Sequence, residues 1–520
     1  MSSKLLGFLN RLTSRLNQSQ SSSEKALILS SSFINGERSY HIRAKKGSET
    51  LYSKISPLGS PGISVKPELD GWVDKGKNLS FDELMRIIHD LRKRKRFTQA
   101  LEVSEWMNEK GVCKFTSVEH AVQLDLIGRV RGFLSAESYF NSLPEQDKTN
   151  KTYGALLHCY ARQRQLEKSL SHFQKMKEMG FASTALNYNV IMCLYTNLGQ
   201  YEKVPEVLAE MKENKVLPDN YSYRLCINSY GAKSDIEAVK NILKEAETQP
   251  HMAVDWNTYA VAANYYIKAG LTDNTIDALK KAEVRVDTKD GIAYNHLITL
   301  YAKLEKKDEI LRLWELEKSA CKRCINRDYI NVLESLVRID AVEAAEKVLE
   351  EWELSDNCYD FRVRNIVTVA HIDKGLLEKA EAMLLTEKEK GSSPNTWGLL
   401  AARYLEKGEM HKAVDCMKAG LSFYVENKGW KINQQVSYSL LNWIGDEGSV
   451  EDVESFVKLL RKAVPVSRQM YHALIKSHVR NGKDVDGLLE KMKADKIKED
   501  EETRIILSTI QQKASLSEPL

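Results

Sequence analysis

The sequence predicts an all-α fold, a right-handed α-solenoid of about twelve 35-residue helix–turn–helix repeats, and three observations carry that expectation. Tyrosines recur at Tyr153, Tyr188, Tyr223, Tyr259, Tyr294 and Tyr329, at spacings of 35, 35, 36, 35 and 35 residues. Each opens an apolar stripe at helical spacing. In the clearest unit, residues 185–219, Tyr188, Ile191, Met192 and Tyr195 form that stripe, Asn197-Leu198-Gly199-Gln200 breaks it, and Val204, Val207, Leu208 and Met211 form a second one. A small residue then recurs in the second helix, at Ala238, Ala345, Ala380 and Ala413, where two helices would approach closely. A lone hairpin cannot bury its apolar faces, whereas stacked neighbours can, leaving a long concave groove. That is how 520 residues with 42% hydrophobic content fold without a large globular core.

Residues 1–46 hold eight Lys/Arg, two acidic residues and eleven Ser, with Leu5, Leu6, Phe8, Leu9, Leu12 and Leu16 near helical spacing. A basic, Ser-rich, acid-poor amphipathic start reads as an organelle transit peptide. Arg38-Ser39-Tyr40 resembles a mitochondrial processing site; chloroplast import is the alternative. The apolar runs are too short to span a membrane. The whole chain carries +4, so residues 47–520 sum to −2. Net charge therefore gives no support for nucleic-acid binding, and any basic surface must be local.

Residues 47–79, with Pro57, Pro61, Pro67, Gly47, Gly59 and Gly62, have the composition of a linker. Degenerate repeats follow at 80–149, opened by a capping box at Ser80–Glu83. Between the helices of the first lies Arg92-Lys93-Arg94-Lys95-Arg96, read either as a phosphate contact or nuclear signal or, more simply, as a solvated helix end and turn. Well-formed repeats occupy 150–360 and degenerate ones 361–500, with Arg364 and Trp397 in place of the tyrosine and an insertion near 426–431. Residues 501–520 read as a tail.

Catalytic chemistry is not expected. Cys159, Cys193 and Cys226 lie within apolar stripes, where a thiol packs as a small hydrophobe. Cys321-Lys322-Arg323-Cys324 is a lone CxxC without a second pair at zinc spacing. The eleven histidines are scattered, and there is no GxxxxGK[ST] loop to cradle a phosphate. No metal, cofactor or small-molecule substrate is expected.

A 35-residue hairpin opening with Tyr-Asn (Tyr188-Asn189, Tyr294-Asn295) and closing with Pro-Asp (Pro218-Asp219) resembles the pentatricopeptide repeat over roughly residues 81–500. The 34-residue tetratricopeptide pattern is absent. So is the combined deaminase signature of the editing subclass, so the likeness is to the repeat-only, plant organellar type.

The resemblance implies two base-selecting positions per unit, the residue after the leading tyrosine and the last residue of the unit. Carried onto this chain they are Gly154 with Thr184, Asn189 with Asp219, Arg224 with Asp255, Ala260 with Asp290, Asn295 with Ile325, Ile330 with Asp360 and Asn365 with Ser393. Gly398 with Gln434 is blurred by the insertion. An Asn amide both donates to and accepts from a base edge. The resemblance implies that Asn189–Asp219 prefers uracil and Asn365–Ser393 cytosine. The implied partner is single-stranded organellar RNA, read about one base per repeat during processing, stabilisation or translation. The alternative is a structural or assembly component of a mitochondrial ribonucleoprotein such as the ribosome, contacting mainly protein or ribosomal RNA.

Overall fold

A computed structural model describes residues 50–515, apart from 60, 61, 78, 288, 356, 387–392, 425–429 and 431. The expected transit peptide at 1–46 and most of the insertion at 426–431 lie outside the described residues. Every regular element among the described residues is helical.

The chain divides between Arg285 and Val286 into two compact units. The first begins with α1 (Leu51–Ile55) and α2 (Lys66–Asp74). Six hairpins follow, starting with α3 (Phe81–Lys93) and α4 (Phe97–Glu109), α5 (Ser117–Val130) and α6 (Phe133–Ser142), and α7 (Asn150–Arg162) and α8 (Leu166–Glu178). The next three are α9 (Ala185–Asn197) and α10 (Lys203–Glu213), α11 (Asn220–Ala232) and α12 (Ile236–Glu247), and α13 (Trp256–Lys268) and α14 (Thr272–Val284).

The second unit also holds six hairpins. They begin with α15 (Gly291–Lys303) and α16 (Lys307–Ala320), α17 (Asn326–Arg338) and α18 (Val342–Glu353), and α19 (Phe361–Asp373) and α20 (Leu377–Thr386). They end with α21 (Pro394–Glu406) and α22 (Met410–Ser422), α23 (Gln434–Glu447) and α24 (Val450–Leu460), and α25 (Arg468–Arg480) and α26 (Asp486–Ala494), after which α27 (Glu501–Ser515) stands alone. From α5 onward in the first unit, and throughout the second, the first helix of a hairpin packs on its own second helix and on the first helix of the next hairpin, the stacking of an α-solenoid, while α3 reaches α5 mainly through α4.

The six periodic tyrosines are all buried, as are Trp397 and Tyr471 in the equivalent place. Their rings also meet the second helix of the preceding hairpin, as Tyr188 meets Phe173 and Tyr329 meets Trp314, each at 5.0 Å between ring centres. The hydroxyl of Tyr223 reaches Glu245 Oε1 on α12 at 3.0 Å, and that of Tyr471 reaches Asp495 just past α26 at 2.5 Å, so the polar tip is satisfied. Ala345, Ala380 and Ala413 are fully buried as expected, but Ala238 is half-exposed and its neighbour Val239 holds the buried register. Close approach between first helices is made instead by glycine. A Cβ on Gly445 of α23 would lie 2.8 Å from Ala473 Cα of α25.

In most hairpins the turn is short because one residue takes the left-handed conformation that lets the next amide reach back, whereas Gly448 between α23 and α24 has φ −77°. At Gly199 (φ 74°) the following amide, Gln200 N, donates to Tyr195 O at 2.9 Å. Non-glycine residues hold that conformation at Lys95, Arg164, Ser234, Glu305 and Asp340.

Two expectations are corrected. Residues 47–79 are not merely a linker, because α1 and α2 bury Leu51, Ile55, Val65, Leu69 and Trp72 and cover the first hairpin. Pro57 follows the end of α1 and Pro67 sits in the first turn of α2, so these prolines punctuate helices. Residues 501–515 are not a loose tail: α27 packs on α25, with Thr503 and Ile506 buried.

The run at 92–96 is likewise not simply a solvated turn. The Arg96 guanidinium donates to the carbonyls of Ile55, Ser56 and Leu58, and Arg92 pairs with Asp125 at 3.0 Å. Of the predicted capping box at Ser80–Glu83, the arm from Glu83 N to Ser80 Oγ is formed, at 3.2 Å.

Candidate nucleic-acid interface

The start of each first helix needs acceptors for its free amides, and at Asp219, Asp255, Asp290 and Asp360 the last residue of the preceding unit supplies one from its side chain. Thr184, Asp219, Asp255, Asp290, Ile325, Asp360 and Ser393 each occupy the N-cap position of the following helix. The second member of every secure pair is thus a capping residue, which alone favours Asp, Ser or Thr there.

In two units the cap reaches back across the hairpin to the residue after the tyrosine. Asn189 Nδ2 donates to Asp219 Oδ1 at 3.1 Å, while Asp219 Oδ1 also accepts from Ser222 N at 2.8 Å. Ser222 Oγ donates to Asn189 Oδ1 at 2.7 Å, so both ends of the Asn189 amide are engaged and the residue is only 2% exposed. One unit on, Arg224 Nη1 donates to Asp255 Oδ2 at 2.6 Å and lies against Thr258 Oγ1 at 3.3 Å. The Asp255 carboxylate remains partly exposed.

The remaining predicted residues are placed differently. Gly154 offers no side chain, and a Cβ there would touch Asn187 Oδ1 at 3.7 Å. Ala260 is fully buried in α13, and Asp290 caps α15 by accepting from Ile292 N and Ala293 N. Ile330 is half-buried, and Asp360 is held by Arg362, whose guanidinium keeps its carboxyl below the usual carboxylate range. Asn365 is half-buried and accepts from Thr396 Oγ1, whereas Ser393 makes no side-chain cap bond. Gln434 is not the cap of its helix. Asn433 is, accepting from Gln435 N and Val436 N, and Trp430 from the insertion would meet a Cβ on Gly398 at 3.2 Å.

Asn295 is drawn inward. Its Nδ2 donates to Gly291 O at 2.7 Å and Asp328 Oδ1 at 2.8 Å, with Glu317 Oε1 at 3.2 Å, while its Oδ1 is buried without a partner. Glu317 is itself buried beside Asp328, and loss of water together with that second carboxylate pushes its acid up to about 8. The same surroundings push the Cys324 thiol up to about 12, so the CxxC pair is not set up as a thiolate site. Among the described residues no group of three or more His, Cys, Asp and Glu could hold a metal ion, and no helix is long and apolar enough to cross a membrane.

One participant escaped the sequence reading, the residue three past the cap at four junctions. Ser222, Thr258 and Asp328 bond to the residue that follows the tyrosine one unit earlier, and Thr396 bonds to Asn365, which follows Arg364 in the tyrosine's place. The capping-box spacing Asp219-x-x-Ser222 and Asp255-x-x-Thr258 is the signal that would have found it.

A mitochondrial pentatricopeptide repeat-containing protein of Arabidopsis thaliana is 58% identical over 473 residues, covering 90% of this chain and 96% of the relative. The chain belongs to the pentatricopeptide repeat family. Two models of that repeat match as well, one described as the PPR repeat family over residues 183–232 and one as the PPR repeat over 151–181 and 292–316. A second mitochondrial pentatricopeptide repeat-containing protein of the same plant is 36% identical over 422 residues, covering 81% of this chain and 86% of that one. The large ribosomal subunit protein mL101 (rPPR4) of Arabidopsis thaliana is 30% identical over 468 residues, covering 89% and 95%. The pentatricopeptide register coincides with the hairpins, since the match at 183–232 spans α9, α10 and α11 with the Asn189–Asp219 pair between them.

Proposed function

We propose that this pentatricopeptide repeat chain binds single-stranded RNA in the mitochondrion and selects bases at the junctions between consecutive hairpins. The reading is of a binding role, not a catalytic one. The observation that carries it is the contact between Asn189 and Asp219, 30 residues apart in sequence and 3.1 Å apart in space. A cap that also orients the amide of the preceding unit couples the two positions, and a base edge read by that amide would take the place of Ser222 Oγ at Asn189 Oδ1. Arg224–Asp255 repeats the arrangement with a cation, and Asn365 beside Thr396 gives a third, more accessible amide. Mitochondrial residence is supported by the names of the two relatives at 58% and 36% identity.

A second reading is favoured by a separate observation. Gly154, Ala260 and Ile330 bring no polar group to the junction and Asn295 is tied inward, so readable junctions are scattered. With a ribosomal protein among its relatives, the chain would then serve as a component of a mitochondrial ribonucleoprotein.

Crosslinking and immunoprecipitation from mitochondria, followed by RNA sequencing and mass spectrometry, separates the two. A discrete footprint of about ten nucleotides on one transcript is the result expected of base selection. Ribosomal proteins and ribosomal RNA without a discrete footprint would replace it with the second reading.

A further inference from the structure

The first three hairpins carry a charge pattern that the base-selecting junctions do not use. Their internal turns are residues 92–96 (Arg-Lys-Arg-Lys-Arg), 129–132 (Arg-Val-Arg-Gly) and 162–165 (Arg-Gln-Arg-Gln). Together these segments hold nine Lys/Arg and neither an acidic nor an aromatic residue. The next three turns of the same unit, 197–200, 232–235 and 268–271, hold two Lys and one Asp.

The three basic turns are gathered by one carboxylate. Asp125 on α5 accepts from Arg92 at the end of α3 (3.0 Å), from Arg129 on its own helix (3.0 Å) and from Arg162 at the end of α7 (2.6 Å). Gln163 stitches the second and third turns by donating to Gly128 O at 2.9 Å and accepting from Phe133 N at 3.1 Å. Arg131 is held bidentately by Glu105, at 2.5 and 2.8 Å, yet keeps half of its side chain in solvent.

One carboxylate cannot neutralise three guanidiniums, and Arg162 Nη1 is buried without an acceptor. Around this fixed centre Lys93, Arg94, Lys95 and Arg164 are exposed and make no ion pair among the described residues. The patch lies at the C-terminal ends of 13- to 14-residue helices whose N-terminal ends carry the capping positions. At about 1.5 Å per residue it is ~20 Å from that track.

We propose that this basic turn edge is a second RNA-binding surface, which grips the phosphate backbone of a double-stranded RNA stem. Guanidinium forks match phosphate oxygens bidentately, and Arg94 and Arg164, with Lys93, Lys95 and the exposed half of Arg131, give this edge the free cations to answer closely spaced phosphates. The rings that flank the turns, Phe97 and Phe133, are half-buried and covered by Arg129 and Lys168 at 4.6 and 5.1 Å, so the edge suits a duplex, which is recognised by shape and backbone, over an unpaired strand that needs open rings. The proposal does not rest on base selection at Asn189–Asp219.

The test uses the full chain and two fluorescent probes, a 16-base-pair RNA hairpin and a 16-nucleotide unpaired RNA, titrated across a range of salt. The variant combines Lys93→Ala and Arg94→Ala with Lys95→Gly and Arg164→Gly, glycine being chosen where φ is 60° and 55° so that the turns keep their shape. Thermal melting confirms that it remains folded, and Lys233→Ala with Lys268→Ala controls for loss of charge elsewhere. For the variant alone, the expected result is hairpin affinity at least about tenfold weaker at ~100 mM salt, with a salt slope shallower by about 3 to 4. Affinity for the unpaired probe stays within about twofold of the parent. Equal loss on both probes would assign the cations to the single-strand track and overturn the proposal. An unchanged hairpin titration would overturn it too, as would a variant that loses only an acidic poly-glutamate probe, which would mark the edge as a protein-docking face. Failure of base selection reads out separately, as no effect of Asn189→Ala on the unpaired probe.

Discussion

Asn189 Nδ2 donates to Asp219 Oδ1 at 3.1 Å, and the same oxygen accepts from Ser222 N at 2.8 Å, so one carboxylate both caps α11 and holds the amide of the preceding unit. The two jobs separate by substitution. Asp219→Ala removes the cap and costs about 1 kcal/mol, together with any preference at one base. Asp219→Asn keeps a capping oxygen, so stability stays within about 0.5 kcal/mol while the charge beside Asn189 is lost. Denaturant melts and RNA titrations against probes varied at a single position check both. A preference that survives Asp219→Ala would remove this pair from base selection.

The hairpins and their register were readable in the sequence because the tyrosines and apolar stripes recur at one period, and a periodic signal survives a degenerate unit. What escaped depends on contacts across units. The Arg92 side chain is explained only by Asp125, 33 residues on, and Arg96 only by carbonyls near residue 55. The prolines at 57 and 67 look alike in a linker and at a helix boundary, and only the burial of Leu51 and Leu69 tells them apart. The site was half-readable: its paired positions follow the repeat, but Asn295 turns inward because Asp328 stands where the Asn189, Arg224 and Asn365 junctions have Ser222, Thr258 and Thr396.

Glu317 gives the second unit a pH dependence. Its folded-state acid is held up to about 8, against the ordinary 4.5 of an exposed glutamate. The folded chain therefore keeps this proton while the unfolded chain releases it. The contribution to stability is fully present below about pH 4.5 and is lost as pH rises towards 8. Glu317→Gln cannot ionise and keeps an acceptor for Asn295, so it should be more stable than the parent by about 2 kcal/mol at pH 8.5. The gap should close near pH 5, and melts across that range supply the check. A difference independent of pH would sink the assignment.

Gly445 is where α23 and α25 touch backbone to backbone. A methyl group there would sit 2.8 Å from Ala473 Cα and 3.2 Å from Ala473 O, neither of which can rotate away. Gly445→Ala should cost about 2 to 3 kcal/mol through a forced shift between the helices. Gly487→Ala, where nothing lies within 4 Å, is the neutral control. Equal melting of the two variants would contradict the close approach.

Glu305 closes the turn between α15 and α16 at φ 57°, where Cβ crowds the following carbonyl. The geometry is fixed by its neighbours, because Lys306 N donates to Tyr301 O at 3.1 Å and Glu305 N to Ala302 O at 3.2 Å, so the side chain cannot relax into another region. Other repeats solve the same turn with Gly270 and Gly375, at 72° and 75°. Glu305→Gly removes a strain of about 1 to 2 kcal/mol and adds a chain-entropy cost of roughly 0.5 to 1 kcal/mol. The net expectation is a gain of about 0.5 to 1 kcal/mol in denaturant unfolding, with no change in RNA affinity. The converse substitution, Gly375→Ala, should lose a similar amount. Should both variants move stability in the same direction, turn strain is not what sets the residue at this position.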